Sequence, residues 1–214
     1  MENHGRRETA RASRARCTPW AALSFLTALL LPAAPRAGTV EIDCDTTADF
    51  CTGDPCVTQD TLAITVPNCT LDFSPAALEI ATVVKIPNGG TLSLTAGSIT
   101  VNAKIDGKHI KAAASDGADV SLTASGNITI NHKIDASGRS TPGSITIDAG
   151  GDIVLNHQVR ARAQGSSPTA TGGTIMISAD GTVSSAKRGK IVVRGKKKAT
   201  AGGLASVSGD AESI

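Results

Sequence analysis

Two aspartates, Asp106 and Asp135, each follow an isoleucine at the same place in a recurring segment. Carboxylates brought to about 5 Å from each other form the working pair of a retaining glycosidase. The same pair would equally suit a calcium ion. Gly107 follows the first and Ala136, Ser137 and Gly138 follow the second, so the pair also reads as turn chemistry, in which aspartate beside glycine needs no catalytic role. His132 and His157 occupy equivalent places one repeat apart, with Asp135 and Arg160 three residues further on. Stacked imidazoles joined by a carboxylate would take a transition metal, but two ligands alone make a poor site. Asn102, Asn131 and Asn156 share another position, just after an apolar residue. Amides stacked at a corner pass hydrogen bonds up the stack and tolerate left-handed backbone angles, so these three read as a structural ladder.

A second chemistry is electrostatic. Lys187, Arg188, Lys190, Arg194, Lys196, Lys197 and Lys198 form a basic cluster, with Arg160 and Arg162 one repeat earlier. Glu41, Asp43, Asp45, Asp49, Asp54 and Asp60 crowd the other end of the chain. That polarity would attract a polyanion such as an acidic surface polysaccharide. Lysines on exposed strands also prevent edge-to-edge pairing, which is the plainer reading of the cluster. Beyond the first 37 residues the only aromatic residues are Phe50 and Phe73. The repeats thus offer no rings for nucleic-acid bases to stack on and none for sugar faces, which weakens an enzymatic reading. No Ser-His-Asp order, Walker loop or HExxH motif competes. No cofactor is expected, calcium at the aspartate pair being the one candidate.

The elements that would hold these residues are short strands. Segments from Leu94 to Asp106, Leu122 to Asp135 and Ile147 to Arg160 share one rhythm, and a looser copy starts at Ile175. The period is roughly 25 to 30 residues. Ile99/Val101, Ile128/Ile130, Ile145/Ile147, Ile153/Leu155, Ile175/Ile177 and Ile191/Val193 alternate with Thr, Ser and Asp, the pattern of strands with one buried face. Gly-Gly, Asp-Gly and Ser-Gly pairs separate them and supply turns. A unit of this length holds two or three strands, which suits one coil of a three-sided parallel stack better than a hairpin sheet. Ser74 to Ala81 fits either a short capping helix, with serine as N-cap and Pro75 at N1, or a first strand pair with a bend.

Residues 1–37 read as an export signal. Arg6, Arg7, Arg11, Arg14 and Arg16 precede an apolar run of 12 residues, Trp20 to Leu31, and Ala33, Ala34 and Ala37 offer small-residue cleavage points. The run is too short to cross a bilayer, which takes about 20 residues, and no later stretch is apolar enough. Six of the 21 Lys and Arg and two of the 19 Asp and Glu lie there, so the chain from Gly38 onward carries 15 against 17, a net charge of −2 instead of +2. Cys44, Cys51, Cys56 and Cys69 remain, an even count that in an exported protein implies two disulfides, with three pairings open.

The rhythm read from Thr146 and Ile147 to Asn156 and in its partner segments resembles the right-handed parallel β-helices of exported bacterial proteins. These are the filamentous-haemagglutinin-like adhesins and the pectin-lyase-like superfamily. The resemblance is architectural and covers about residues 70–214. It implies an exported scaffold associated with carbohydrate or a surface, and brings no catalytic motif.

The expectation is therefore an all-β chain: a signal over 1–37, a disulfide-stapled cap over 38–75 and a right-handed parallel β-helix over 76–214. Its role would be structural or adhesive, outside the cell or on its surface. A carbohydrate-active β-helix enzyme and a polyanion-binding module are the alternatives. Residues Leu204 to Ile214 match the opening of another repeat, which suggests a longer protein or a last coil that docks on a partner.

Overall fold

The computed structural model describes residues 38–111, 115–165, 172–195 and 203–211, so the segment read above as an export signal lies outside the described residues. Alternation of aliphatic and hydroxyl side chains gives strands throughout. They are β1 Thr39–Ile42, β2 Cys56–Val57, β3 Thr61–Ile64, β4 Asn68–Asp72, β5 Ala77–Ile80, β6 Val84–Lys85, β7 Thr91–Ala96, β8 Ser98–Val101 and β9 Ile105–Asp106. There follow β10 Asp119–Ala124, β11 Ile128–Ile130, β12 Ile134–Asp135, β13 Ser144–Ala149, β14 Ile153–Leu155, β15 Gln158–Arg162, β16 Thr174–Ser185, β17 Lys190–Arg194 and β18 Leu204–Ala211.

These strands make two sheets, and every pairing between them is parallel. The seven-stranded sheet has the order β1-β3-β6-β9-β12-β15-β17. The eleven-stranded sheet holds the other strands, its long β16 spanning the positions that β13 and β14 occupy separately. From β5 to β13 each strand thus pairs with strands three elements before and after it in the chain, and three strands make one circuit. Register is kept residue for residue: Leu92 faces Val120, Val120 faces Ile145, and Ile145 faces Ile175, steps of 28, 25 and 30 residues. On the other sheet Leu62, Val84, Ile105, Ile134, Val159 and Ile191 form a single column.

The core is the sum of these inward columns. Leu92, Leu94, Ile105, Leu122, Ile128, Ile130, Ile134 and Ile145 are fully buried. Stacked like residues leave few voids and need no large ring to fill them. Phe50 and Phe73 instead pack on each other near the N-terminal end of the sheets, with ring centroids 5.7 Å apart. That end is stapled by Cys44–Cys69 and Cys51–Cys56.

Two features differ from the simplest sequence reading. Ser74 to Ala81 is not helical: Ala77–Ile80 is a strand whose Leu78 and Ile80 stack under Ile99 and Val101. Burial of that period-two pair outweighs the helix-start signal of Ser74 and Pro75. The parallel ladders also extend below residue 76, since β1 and β3 already lie in the seven-stranded sheet, and β2 and β4 in the eleven-stranded one.

Length differences gather at one corner. From Thr91 to Asp106, Asp119 to Asp135 and Ser144 to Arg160 the separations are 15, 16 and 16 positions. From the seven-stranded sheet back to the next circuit they are 13 for Asp106 to Asp119, 9 for Asp135 to Ser144 and 14 for Arg160 to Thr174. Glycine permits the loops there to stack at backbone contact. A Cβ at Gly138 would lie 2.6 Å from the Gly117 backbone nitrogen of the neighbouring loop, and one at Gly143 would lie 2.0 Å from the Ala118 carbonyl oxygen.

Candidate functional site

The two-residue strands β9 and β12 have one inward and one outward side chain each, so isoleucine takes the core and aspartate the opposite face. Lys85, Asp106, Asp135 and Arg160 consequently form one outward column, in the sense cation, carboxylate, carboxylate, cation. Lys104 and Lys133 stand two residues before each aspartate on the same side.

The aligned carboxylates live in different surroundings. Asp135 is 0% exposed. Its Oδ1 accepts from the Ser137 hydroxyl at 2.6 Å and the Ser137 amide at 3.2 Å. Its Oδ2 faces Lys133 Nζ at 3.1 Å and Arg160 Nη2 at 3.3 Å. Burial pushes this carboxyl up, but the Ser137 hydroxyl, Arg160 and Lys133 together outweigh it and hold the group below its usual range. Asp106 is partly exposed and paired with Lys104 at 2.6 Å.

A glycosidase acid needs a raised pKa and an open approach for sugar and water. Asp135 has the reverse of both. Three cations around two carboxylates also remove the negative excess on which a calcium ion depends.

His132 and His157 do stack, with ring centroids 5.3 Å apart and planes 4° from parallel. The Gln158 amide donates to His157 Nδ1 at 2.8 Å, which occupies that lone pair. Burial, then the neighbouring His132, Arg188 and Lys133, pushes the His157 pKa down. Cationic neighbours oppose a metal ion as they oppose a proton. Among the described residues no three His, Cys, Asp or Glu side chains converge to hold one.

The asparagine ladder is continuous. Asn156 Nδ2 donates to Asn131 Oδ1 at 2.7 Å, Asn131 Nδ2 to Asn102 Oδ1 at 2.8 Å, and Asn102 Nδ2 to Glu79 at 2.8 Å. Glu79 ends the ladder with a charge, a member the sequence comparison missed. None of the three asparagines has a left-handed φ, so hydrogen bonding alone explains the position. The next circuit places Ala186 there, its amide bonded to the Leu155 carbonyl, and the ladder stops.

Of the basic cluster, Lys187, Arg188, Lys190 and Arg194 are exposed, whereas Lys196, Lys197 and Lys198 lie outside the described residues. Arg160 is committed to Asp135 and, through Nε, to Ser137 Oγ at 3.3 Å. Arg162 faces Arg194 in register. Its pKa is lowered, first by burial and then by Arg160 and Arg194. Arg162 Nε and Gln164 Nε2 are buried donors with no acceptor among the described residues.

The sequence comparison overlooked a cleft of about 700 Å³ beside Asp106, lined by Asn88, Lys104, Lys108, His109 and Lys111. His109 is anchored by a ring nitrogen, Nε2, 2.8 Å from the Ile86 carbonyl oxygen. The signal was there: Lys104-Ile105-Asp106 recurs as Lys133-Ile134-Asp135, so lysine marks the same outward place in both circuits.

These cations belong to a wider pattern. Among the described residues, every Lys and Arg that lies in a strand is in the seven-stranded sheet: Lys85, Arg160, Arg162, Lys190 and Arg194. The strands of the eleven-stranded sheet contain none. They carry Asp72, Glu79, Asp119, Asp148, Asp180 and Asp210 among many serines and threonines. No protein-family model matches this chain, and neither the curated proteins nor the solved structures contain a significant match.

Proposed function

We propose that the chain is an exported, adhesive or structural scaffold, a right-handed parallel β-helix whose cationic face grips an anionic glycan. The observation that carries this reading is the segregation of strand-borne cations onto one sheet, continued by Lys104, Lys108 and Lys111 around the cleft. Parallel circuits in constant register and two disulfides support the helical, exported part of the proposal. The ligand is recognised by charge, because the repeats present no Phe, Tyr or Trp ring to a sugar or a base. Calcium has no part in this reading, and neither has turnover at Asp106 and Asp135.

The test is retention on immobilised heparin across a salt gradient. The protein should bind at low salt and elute early, since surface charges are screened within about 10 Å at 0.1 M. Replacing Lys104, Lys108 and Lys111 together with glutamine should abolish retention, whereas Thr95→Gln with Thr123→Gln on the other sheet should not. Equal retention of both variants, or none by the unaltered protein, sinks the proposal.

A further inference from the structure

Among the described residues the seven-stranded sheet ends at β1 on one side and β17 on the other, and all its pairings are parallel. The free side of a parallel strand presents evenly spaced donors and acceptors, so the two ends of such a sheet are complementary by construction. Their side chains match as well. Val40 and Ile42 sit in the inward columns opposite Leu62 and Ile64, and Val40 remains 41% exposed. Ile191 and Val193 occupy the inward columns at the other end, only half-buried, beside an open groove of about 430 Å³ lined by Leu155, Val183, Ile191 and Val192.

We propose that copies of this chain stack head to tail, β17 of one against β1 of the next. Setting Val40 against Ile191 puts Ile42 against Val193 and continues two apolar columns across the junction. That register sets Asp43 opposite Arg194 and leaves Glu41 outward, diagonal to both Lys190 and Arg194. All four charged residues are exposed in the single chain. A basic edge strand repels basic edges and gives neutral ones no counter-charge for cations that lose hydration, so Lys190 and Arg194 favour an acidic strand. Such a contact joins two different surfaces and does not close, which yields an open series of oligomers and not a fixed dimer. The inference rests on the exported reading above, in which the residues ahead of Gly38 are removed.

Sedimentation velocity of the exported protein over a range of concentrations is the test, with intact mass reporting its first residue. The expected result is an open series that grows with concentration and shrinks with salt. Glu41→Lys combined with Asp43→Lys should leave a monomer, and so should Lys190→Glu combined with Arg194→Glu. Mixing those two variants restores opposite charges at every junction and should restore the series, which also shows that both are folded. A single species for the unaltered protein at all concentrations, or for the mixture, overturns the proposal. Assembly by a chain that keeps its N-terminal residues upholds the stacking and removes the export reading instead.

Discussion

Inward, the two sheets are interchangeable. Leu122 of β10 and Ile134 of β12 are both fully buried, each held in register by an aliphatic residue from the circuits before and after. Outward they diverge. β10, β11 and β13 offer Ser121, Thr123, Thr129 and Thr146, whereas the facing positions of β12 and β15 hold Asp135, Arg160 and Arg162. A stack of this kind fixes its inner layer by packing and leaves the outer layer free to vary. What distinguishes one such protein from another is therefore written on the outside.

The comparison breaks most visibly if the inner layers are unequal. Leu122→Ala and Ile134→Ala should each lower stability by about 2–5 kcal/mol in denaturant unfolding, because both open a cavity in a close-packed column. A loss below about 1 kcal/mol at either site would show that one sheet's interior is looser than its fully buried side chains suggest.

The disulfides come next, and they bear on how the sheets are joined. Cys44 follows β1 in one sheet and Cys69 lies in β4 of the other, 25 residues apart, whereas Cys51 and Cys56 close a loop of 5. Chain entropy assigns about 3–4 kcal/mol to the longer link and about 2 kcal/mol to the shorter. Serine pairs at each link, compared by thermal melting, should rank in that order; the reverse order would mean that the inter-sheet tie matters less than the local one.

The outer layers should differ by a similar margin. Arg160→Ala strips a cation from the buried Asp135 and should cost about 2–3 kcal/mol, against less than about 0.5 kcal/mol for Thr129→Ala on the other sheet. The pH dependence has a definite sign. The Asp135 carboxyl is held below its ordinary value of 3.8, so folding favours the ionised form. Its stabilisation is complete above that value and is lost as pH falls through the folded pKa. Asp135→Asn should therefore flatten the acid limb of the stability curve below pH 3.8; an unchanged limb would place the acid sensitivity elsewhere.

The smallest effect belongs to the histidine stack. His157 is pushed below its ordinary 6.5, so the folded state resists its protonation. Stability is undiminished above 6.5 and declines as pH falls from there toward the folded pKa. His157→Gln should remove that shallow slope, and a slope that persists would assign it to another group.

Much of the fold was legible because alternation and repetition are local signals. Ile128/Ile130 and Ile153/Leu155 announce strands, and the shared rhythm of their segments announces stacking in register. The histidine stack and asparagine ladder followed from that register alone. Ser74 to Ala81 stayed ambiguous because a serine and a proline mark a helix start just as Leu78 and Ile80 mark a strand, and only the neighbouring circuit decides. The cysteine pairing was closed to inspection for a similar reason, since it depends on where the chain returns. The cationic surface was legible least. Reading along the chain gathered Lys187 to Lys198 into one cluster, while Lys104 and Lys133, 29 positions apart in sequence, become neighbours only when the circuits stack.

The corner that absorbs most of the difference in circuit length also carries Lys108, His109 and Lys111. A chain that lengthens or shortens only there can lose, gain or exchange a surface loop without shifting any strand against its neighbours. Variation at this corner is thus uncoupled from foldability, and grafted sequences between Gly107 and Ala118 should be tolerated as replaceable attachments on an unchanged frame.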